Sequence, residues 1–205
     1  MGQYYEVLTK DVRGNYAVYN RRVSGQYTAA KLTEHSWMGN NFVDTFCNKL
    51  YNKKLQVAWV GDYADDGKLV NGLTKEDVDA FYDMVYSRTH GLKEHGVRLN
   101  KLNYEGKYLV NHTKQVFINL DNYQVLNEDS DGWIAHPLPL LTAIGNGQGG
   151  GDYWGTNEDK IGSWAFDMIS IVDKEPQGYK EQIYIFISDS QTPRQEKTEF
   201  TTDVA

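Results

Sequence analysis

The sequence predicts an α+β fold, mainly antiparallel sheet with two helices, and three observations carry that expectation. Fifteen Tyr and five Trp stand against only four Pro, and aromatic rings suit a pleated, half-buried surface. Two stretches alone have a clear helical period: Phe42, Val43, Phe46, Cys47, Leu50 and Tyr51, then Val78, Phe81, Tyr82 and Val85. Pairs of short strand-like segments open both halves of the chain, which points to a strand-rich unit present twice.

In chain order, Gln3 to Leu8 and Asn15 to Arg22 read as two strands about a turn at Arg13-Gly14-Asn15, where Gly and Asn accept positive φ. The first helix starts near Asn41, with Asn40 or Asn41 as N-cap, and runs about three turns. Leu55 to Val60 reads as a buried strand that enters the acidic turn from Gly61 to Asp66. The second helix starts at Thr74, with Asp77 in the capping-box position, and His90-Gly91 ends it. Residues 92–105 are polar and irregular. Tyr108 to Asn111 and Gln115 to Leu120 form the next hairpin. The prolines of His136-Pro137-Leu138-Pro139 argue against a ladder or helix interior there. Ser163 to Val172 and Gln182 to Ile187 read as two strands joined by a turn at Pro176-Gln177-Gly178, followed by a polar tail.

These elements divide the chain into a first unit at 1–91, a connector at 92–105, a second unit at 106–188 and a tail at 189–205. Gly2, Tyr4, Thr9 and Lys10 match Gly106, Tyr108, Thr113 and Lys114 at identical spacing. Gly39-Asn40 follows the first hairpin about as far as Gly145-Asn146 follows the second, and Val57 to Asp62 has a counterpart in Ile169 to Asp173. The order of these matches is the case for an internal duplication.

Composition narrows the function classes. A 40% hydrophobic, 24% charged chain of 205 residues can bury a core. A net charge of -7 without a basic cluster argues against nucleic-acid binding, which rests on Lys and Arg displacing counterions. The single Cys47, with no partner for a disulfide, fits a reducing compartment and reads as a packed thiol. No stretch has the length of a signal peptide's apolar run or of a membrane span. The expected location is the cytoplasm, that of a bacterial host if the chain is phage-encoded.

The start Met1-Gly2-Gln3-Tyr4-Tyr5, the run Asn146-Gly147-Gln148-Gly149-Gly150-Gly151-Asp152 and the strand Gly162-Ser163-Trp164-Ala165 resemble a family of bacteriophage and bacterial proteins without an assigned function. Some members carry the unit once, with the glycine run, the Trp strand and a terminal Gly-Asp-Tyr together. In this chain the run and the Trp strand lie in the second half, whereas Gly61-Asp62-Tyr63 lies in the first. The resemblance covers most of the chain and implies a phage or mobile-element origin. It assigns no residue a role.

The glycine run is the first candidate contact site, because consecutive glycines let backbone N–H groups approach a ligand. It lacks the Gly-Lys-Ser/Thr ending of a phosphate loop, and Asp152 would repel a phosphate. Trp154 beside it offers a ring to stack on a base, a sugar or a partner's side chain. The candidate binding set is therefore His136, Asn146, Gly149, Gly150, Gly151, Asp152 and Trp154, joined by His35, Asn40 and Asp62 from the first half. This set favours a noncatalytic accessory protein that holds a small molecule or a host protein. The alternatives are a small hydrolase pairing His35 or His136 with Asp62 or Asp173 as acid and base, and a structural or oligomer-forming protein. The five histidines form no metal-ligand spacing, so neither a metal nor a cofactor is expected.

Overall fold

The computed structural model describes residues 3–20, 22–23, 26–27, 30–87, 94–96, 102–128, 132–146 and 158–186. In chain order its elements are β1 (Tyr5–Asp11), β2 (Tyr16–Asn20), the short pair β3 (Arg22–Val23) and β4 (Gln26–Tyr27), α1 (Leu32–His35), α2 (Asn41–Leu50), β5 (Leu55–Gly61), α3 (Lys75–Tyr86), β6 (Glu94–Gly96), β7 (Tyr108–Asn111), β8 (Val116–Asn119), α4 (Leu120–Asn127), α5 (Pro137–Leu141), β9 (Ala143–Ile144), β10 (Met168–Val172) and β11 (Lys180–Glu181). The α+β, mainly antiparallel expectation holds. A nine-stranded sheet runs in the order β11-β8-β7-β10-β5-β1-β2-β6, with β9 beside β5. The pairs β11–β8, β2–β6 and β5–β9 are parallel and the rest antiparallel.

Side chains of successive strand residues point to opposite faces, and β5 sorts its residues accordingly. Val57 and Trp59 join a large core with Phe42, Val43, Phe46 and Leu50 of α2 and Leu138, Leu140 and Leu141 of α5. Ala58 and Val60 face the other way, onto Val78, Phe81 and Val85 of α3. One face of the sheet thus carries α2 and α5, and α3 covers the opposite face of the first half. The two helices foreseen from their periods have the expected caps. Asn40 accepts from the N–H groups of Phe42 and Val43 at 2.9 and 3.4 Å, and Thr74 and Asp77 form a complete capping box.

The helix count was too low, because the second half has its own. Asn119, the last residue of β8, turns its side chain to accept from the N–H groups of Asp121 and Asn122, so a strand that read as running to Leu120 converts into α4. The proline-bearing segment is the short helix α5. Pro137 and Pro139 lie in its first turn, where the backbone N–H has no intrahelical partner to lose. Several boundaries also move. Helix α3 ends at Tyr86, and His90-Gly91 lies outside the described residues. Residues 161–166 are turns rather than strand, and β11 is confined to Lys180–Glu181. Residues 94–96 of the supposed connector add β6 to the sheet edge beside β2.

Strand order repeats between the halves: β2-β1-β5 and β8-β7-β10 are equivalent triplets, joined where Gln56 pairs with Met168 and Leu55 with Ile169. The residue matches do not follow that order. Thr9 and Lys10 lie in β1, whereas Thr113 and Lys114 lie in the turn between β7 and β8. Asp11 and Asn111 instead close the two hairpin turns in the same way, each side-chain oxygen accepting from backbone N–H groups, those of Arg13 and Asn15 in one case and that of Lys114 in the other. Likewise Asn40 caps a helix, whereas Asn146 follows β9 and caps none among the described residues.

Candidate functional site

Where β9 ends and the glycine-rich segment begins, two glycines, Gly61 and Gly145, pack on one amide, and a third, Gly67, packs on Gly145. Gln3 lies two residues before Tyr5 on the core-facing side of the strand and is fully buried, at 0% exposure. Its Oε1 accepts from the Tyr5 hydroxyl at 2.7 Å and from the Asn146 N–H at 3.3 Å. The second contact fixes which way the amide lies, because a backbone N–H can only donate. Its Nε2 has no hydrogen-bond partner. A Cβ on Gly61 would come within 2.6 Å of Gln3 Nε2, one on Gly145 within 2.5 Å of the Tyr5 hydroxyl, and one on Gly67 within 2.6 Å of the Gly145 carbonyl oxygen. The backbone therefore packs directly against the Gln3 and Tyr5 side chains, and only glycine fits those three positions.

Asp62, the residue after Gly61, follows Ala58 and Val60 in parity and lies toward α3, on the other face of the sheet from Gln3. The Tyr4 N–H donates to Asp62 Oδ1 at 2.9 Å, and the Asp62 N–H returns a bond to the Tyr4 carbonyl at 2.9 Å. Burial raises the Asp62 carboxyl above its ordinary value, opposed by the backbone N–H groups of Tyr4 and of Asp62 itself. Asp62 and Asp65 both act on the Tyr82 hydroxyl, whose pKa is raised first by burial and then by those charges. The nearby ammonium of Lys75 is taken up by Asp79 and by the Asp65 carbonyl. The surface beside α3 is therefore electronegative.

The remaining described candidates from the first half meet elsewhere, in the core. His136 and Cys47 are both fully buried. The Leu138 N–H donates to His136 Nδ1 at 3.1 Å, so the neutral ring carries its proton on Nε2, 3.4 Å from Cys47 Sγ. Tyr104, whose ring centre is 5.1 Å from that of His136, donates its hydroxyl proton to Asp44 Oδ1 at 2.6 Å, and the Gly39 N–H donates to the same oxygen at 3.0 Å. Burial lowers His136 to about 3 and drives the Cys47 thiol far up. Both groups are neutral, which is the opposite of the thiolate–imidazolium pair that a nucleophile needs. His35 Nδ1 accepts from the Lys31 N–H at 3.0 Å, and the His136 N–H donates to the Ser36 carbonyl at 2.6 Å. His35, Asn40 and His136 thus gather around α1, α2 and α5 as capping and turn residues.

Asp62 and Asp173 do not meet. Leu55 pairs with Ile169, and from that pair the antiparallel strands carry the two acids in opposite directions. At about 3.3 Å per residue they lie roughly 30 Å or more apart. Asp173 is bound by Tyr51 and, at 2.7 Å, by Lys107, which lower its pKa.

A third polar cluster clips the halves together. Lys114 Nζ lies 2.5 Å from both Asn71 Oδ1 and the Ser163 carbonyl and 3.7 Å from Asp167, while Asn111 Nδ2 donates to Asp167 at 2.7 Å. Asn71, Gln115 and Phe166, with φ of 52°, 55° and 60°, bend the chain through this seam. Two of the ammonium's three donors have hydrogen-bond acceptors and the Asp167 carboxylate faces it as an ion pair.

Of the residues singled out by sequence, Asp62 bonds the Tyr4 N–H and Asn146 the side chain of the adjacent Gln3, one on each side of the strand. Gly149, Gly150, Gly151, Asp152 and Trp154 lie outside the described residues. Gln3, Tyr5, Gly61 and Gly67 were missed. Parity held the signal: Gln3, Tyr5 and Val7 alternate on one face, and a glutamine on a core face demands partners. Among the described residues no group of three or more His, Cys, Asp or Glu is placed to hold a metal, and no helix is long and apolar enough to cross a membrane. No protein-family model matches the chain, and neither a curated protein nor a solved structure matches it.

Proposed function

We propose that the chain is a noncatalytic binding protein that holds a small molecule or a protein partner where the glycine-rich segment leaves the sheet, at Gln3, Asp62, Gly145 and Asn146. The observation that carries this reading is the Gln3 Nε2 group, fully buried without a partner. A buried donor left unmade costs about 1–3 kcal/mol, and a protein tolerates that cost most readily where something binds. The other two buried atoms without partners, Trp59 Nε1 and Ser163 Oγ, point less clearly. The Trp59 ring is enclosed by Phe42 and Phe46, and Ser163 sits in a turn whose carbonyl accepts from Lys114. The likeness of the N-terminal, glycine-run and Trp-strand sequences to phage proteins supports a role as an accessory protein of a phage or mobile element.

A hydrolase built on histidine needs an imidazole free to take a proton. Both nitrogens of His136 are engaged and His35 Nδ1 accepts from the Lys31 N–H, which favours the binding reading over a hydrolase that pairs either histidine with Asp62 or Asp173. Chemical-shift mapping of the full chain against a panel of nucleotides, amino acids and peptides tests the reading. Shifts centred on Gln3, Tyr5 and Asn146 support it. Turnover of ester, phosphate or peptide substrates that is lost in His136→Asn would overturn it.

A further inference from the structure

Three turns meet at the seam between the halves and hold an amine against an amide. In the first, the Leu73 N–H donates to the Val70 carbonyl at 3.0 Å, with Asn71 and Gly72 between them at φ of 52° and 72°. This turn seats on Gly162, where a Cβ would meet Val70 at 3.0 Å, and Asn71 Nδ2 donates to the Ala165 carbonyl at 2.8 Å. From the turn between β7 and β8, Lys114 Nζ reaches Asn71 Oδ1 at 2.5 Å. The Asn71 Cγ atom, one carbonyl bond of about 1.2 Å beyond, is therefore within about 3.7 Å of the amine, near the approach distance of reacting atoms. Beside them Asp167, 6% exposed, lies 3.7 Å from Lys114 Nζ. Asn111 holds both residues: its Nδ2 donates to Asp167 Oδ2 at 2.7 Å, and its Oδ1 accepts from the Lys114 N–H at 3.0 Å. Amine, amide carbon and carboxylate all belong to the chain, so nothing has to enter the seam for them to react.

Independently of the binding reading above, we propose that Lys114 and Asn71 join in an intramolecular isopeptide bond, with Asp167 as the proton carrier. The Asp167 carboxylate takes a proton from the ammonium, and the freed Nζ lone pair attacks Asn71 Cγ. As the Nζ–Cγ bond forms, Nζ passes a second proton to Nδ2, the Cγ–Nδ2 bond breaks, and Nδ2 leaves as ammonia. The ammonia carries off the proton held by Asp167, so the carboxylate is regenerated and nothing is oxidised or reduced. The bond closes a loop between residues 43 apart. It ties the turn before α3 to the β7–β8 turn, at the joint where β5 and β10 share only the pairs Gln56–Met168 and Leu55–Ile169.

Intact-mass spectrometry of the full chain, incubated folded in mildly alkaline buffer, tests this. The expected chain is lighter than its sequence by one ammonia. A tryptic digest should then yield one branched peptide that joins the Asn71 and Lys114 segments and is uncut after Lys114. Lys114→Arg keeps the charge and Asn71→Gly keeps the left-handed turn, and each should show the full mass. Asp167→Asn should slow bond formation about a hundredfold or more, the scale of a placed general base. An unaltered wild-type mass overturns the proposal. So does an ammonia loss that persists in Lys114→Arg, or one confined to a single peptide that hydroxylamine cleaves, the mark of a succinimide closed between Asn71 and the Gly72 nitrogen. An Asp167→Asn chain that forms the bond as fast as wild type overturns the part given to the carboxylate. Mass and digest of the wild-type chain decide the proposal even where a variant fails to fold.

Discussion

Two buried polar regions of this molecule differ in one respect that decides how each is read. Around His136 every polar atom described has a partner: the imidazole takes the Leu138 N–H on one side and meets the Cys47 thiol on the other, and Asp44 collects the Tyr104 hydroxyl and the Gly39 N–H. Around Gln3 the count is one short, since the amide oxygen is doubly used and the amide nitrogen is not used at all. A network that closes on itself fixes the packing of α2 against α5 and has nothing to offer a ligand. A network one bond short can be completed from outside.

That contrast can be broken experimentally, and the largest effect is expected at the closed network. His136→Leu removes the cap of α5 and leaves the Leu138 N–H buried without an acceptor, which should lower stability by about 2–4 kcal/mol in urea unfolding. A loss under about 1 kcal/mol would mean that the network is not closed as described.

Acid should find the same residue. Unfolded, His136 takes a proton near its ordinary pKa of 6.5, whereas the folded chain binds it only near 3. The unfolded state therefore holds more protons between those values. The stability from the neutral ring is fully present above pH 6.5 and is lost as pH falls toward 3, with a slope of at most about 1.4 kcal/mol per pH unit from this residue. His112, lowered to about 4 by burial, adds to the slope in the same direction. His136→Asn can still cap α5 but cannot titrate, so its stability profile should be flatter across that window. An unchanged slope would assign the acid sensitivity to other groups.

At the open region, Gly145→Ala drives a methyl into the Tyr5 hydroxyl and the Gln3 amide. We expect a loss of about 1–3 kcal/mol together with loss of any ligand-induced shift at Gln3. Retention of that shift would separate the glycine from the site. The smallest effect belongs to Asp62→Asn. It preserves an acceptor for the Tyr4 N–H while removing a charge that burial disfavours, so stability at pH 7 should stay level or rise by less than about 1 kcal/mol. A marked loss would show that the carboxylate has a cationic partner.

Much of the fold was legible because its signals are local. The caps at Asn40 and Thr74 and the apolar stripe Val78, Phe81, Val85 are readable from a few neighbouring residues, as is the buried run of β5. Helices α4 and α5 were not, for a local reason read the wrong way. Asn119 completes a strand pattern and caps a helix with the same residue, and two prolines that bar a helix interior are admitted in its first turn. The candidate site was half legible. Asp62 and Asn146 were singled out, but the residues that join them, Tyr4 and Gln3, were read only as strand.

By itself the sequence determined the α+β class, the main helices, the acidic character and the packed state of Cys47, since each follows from residue type and spacing over a few turns or strands. Tertiary structure decided which polar groups complete one another. Gln3 is 143 residues from Asn146, and Cys47 is 89 from His136. Whether a buried amide or imidazole is satisfied depends on partners that only the folded sheet brings within hydrogen-bond reach.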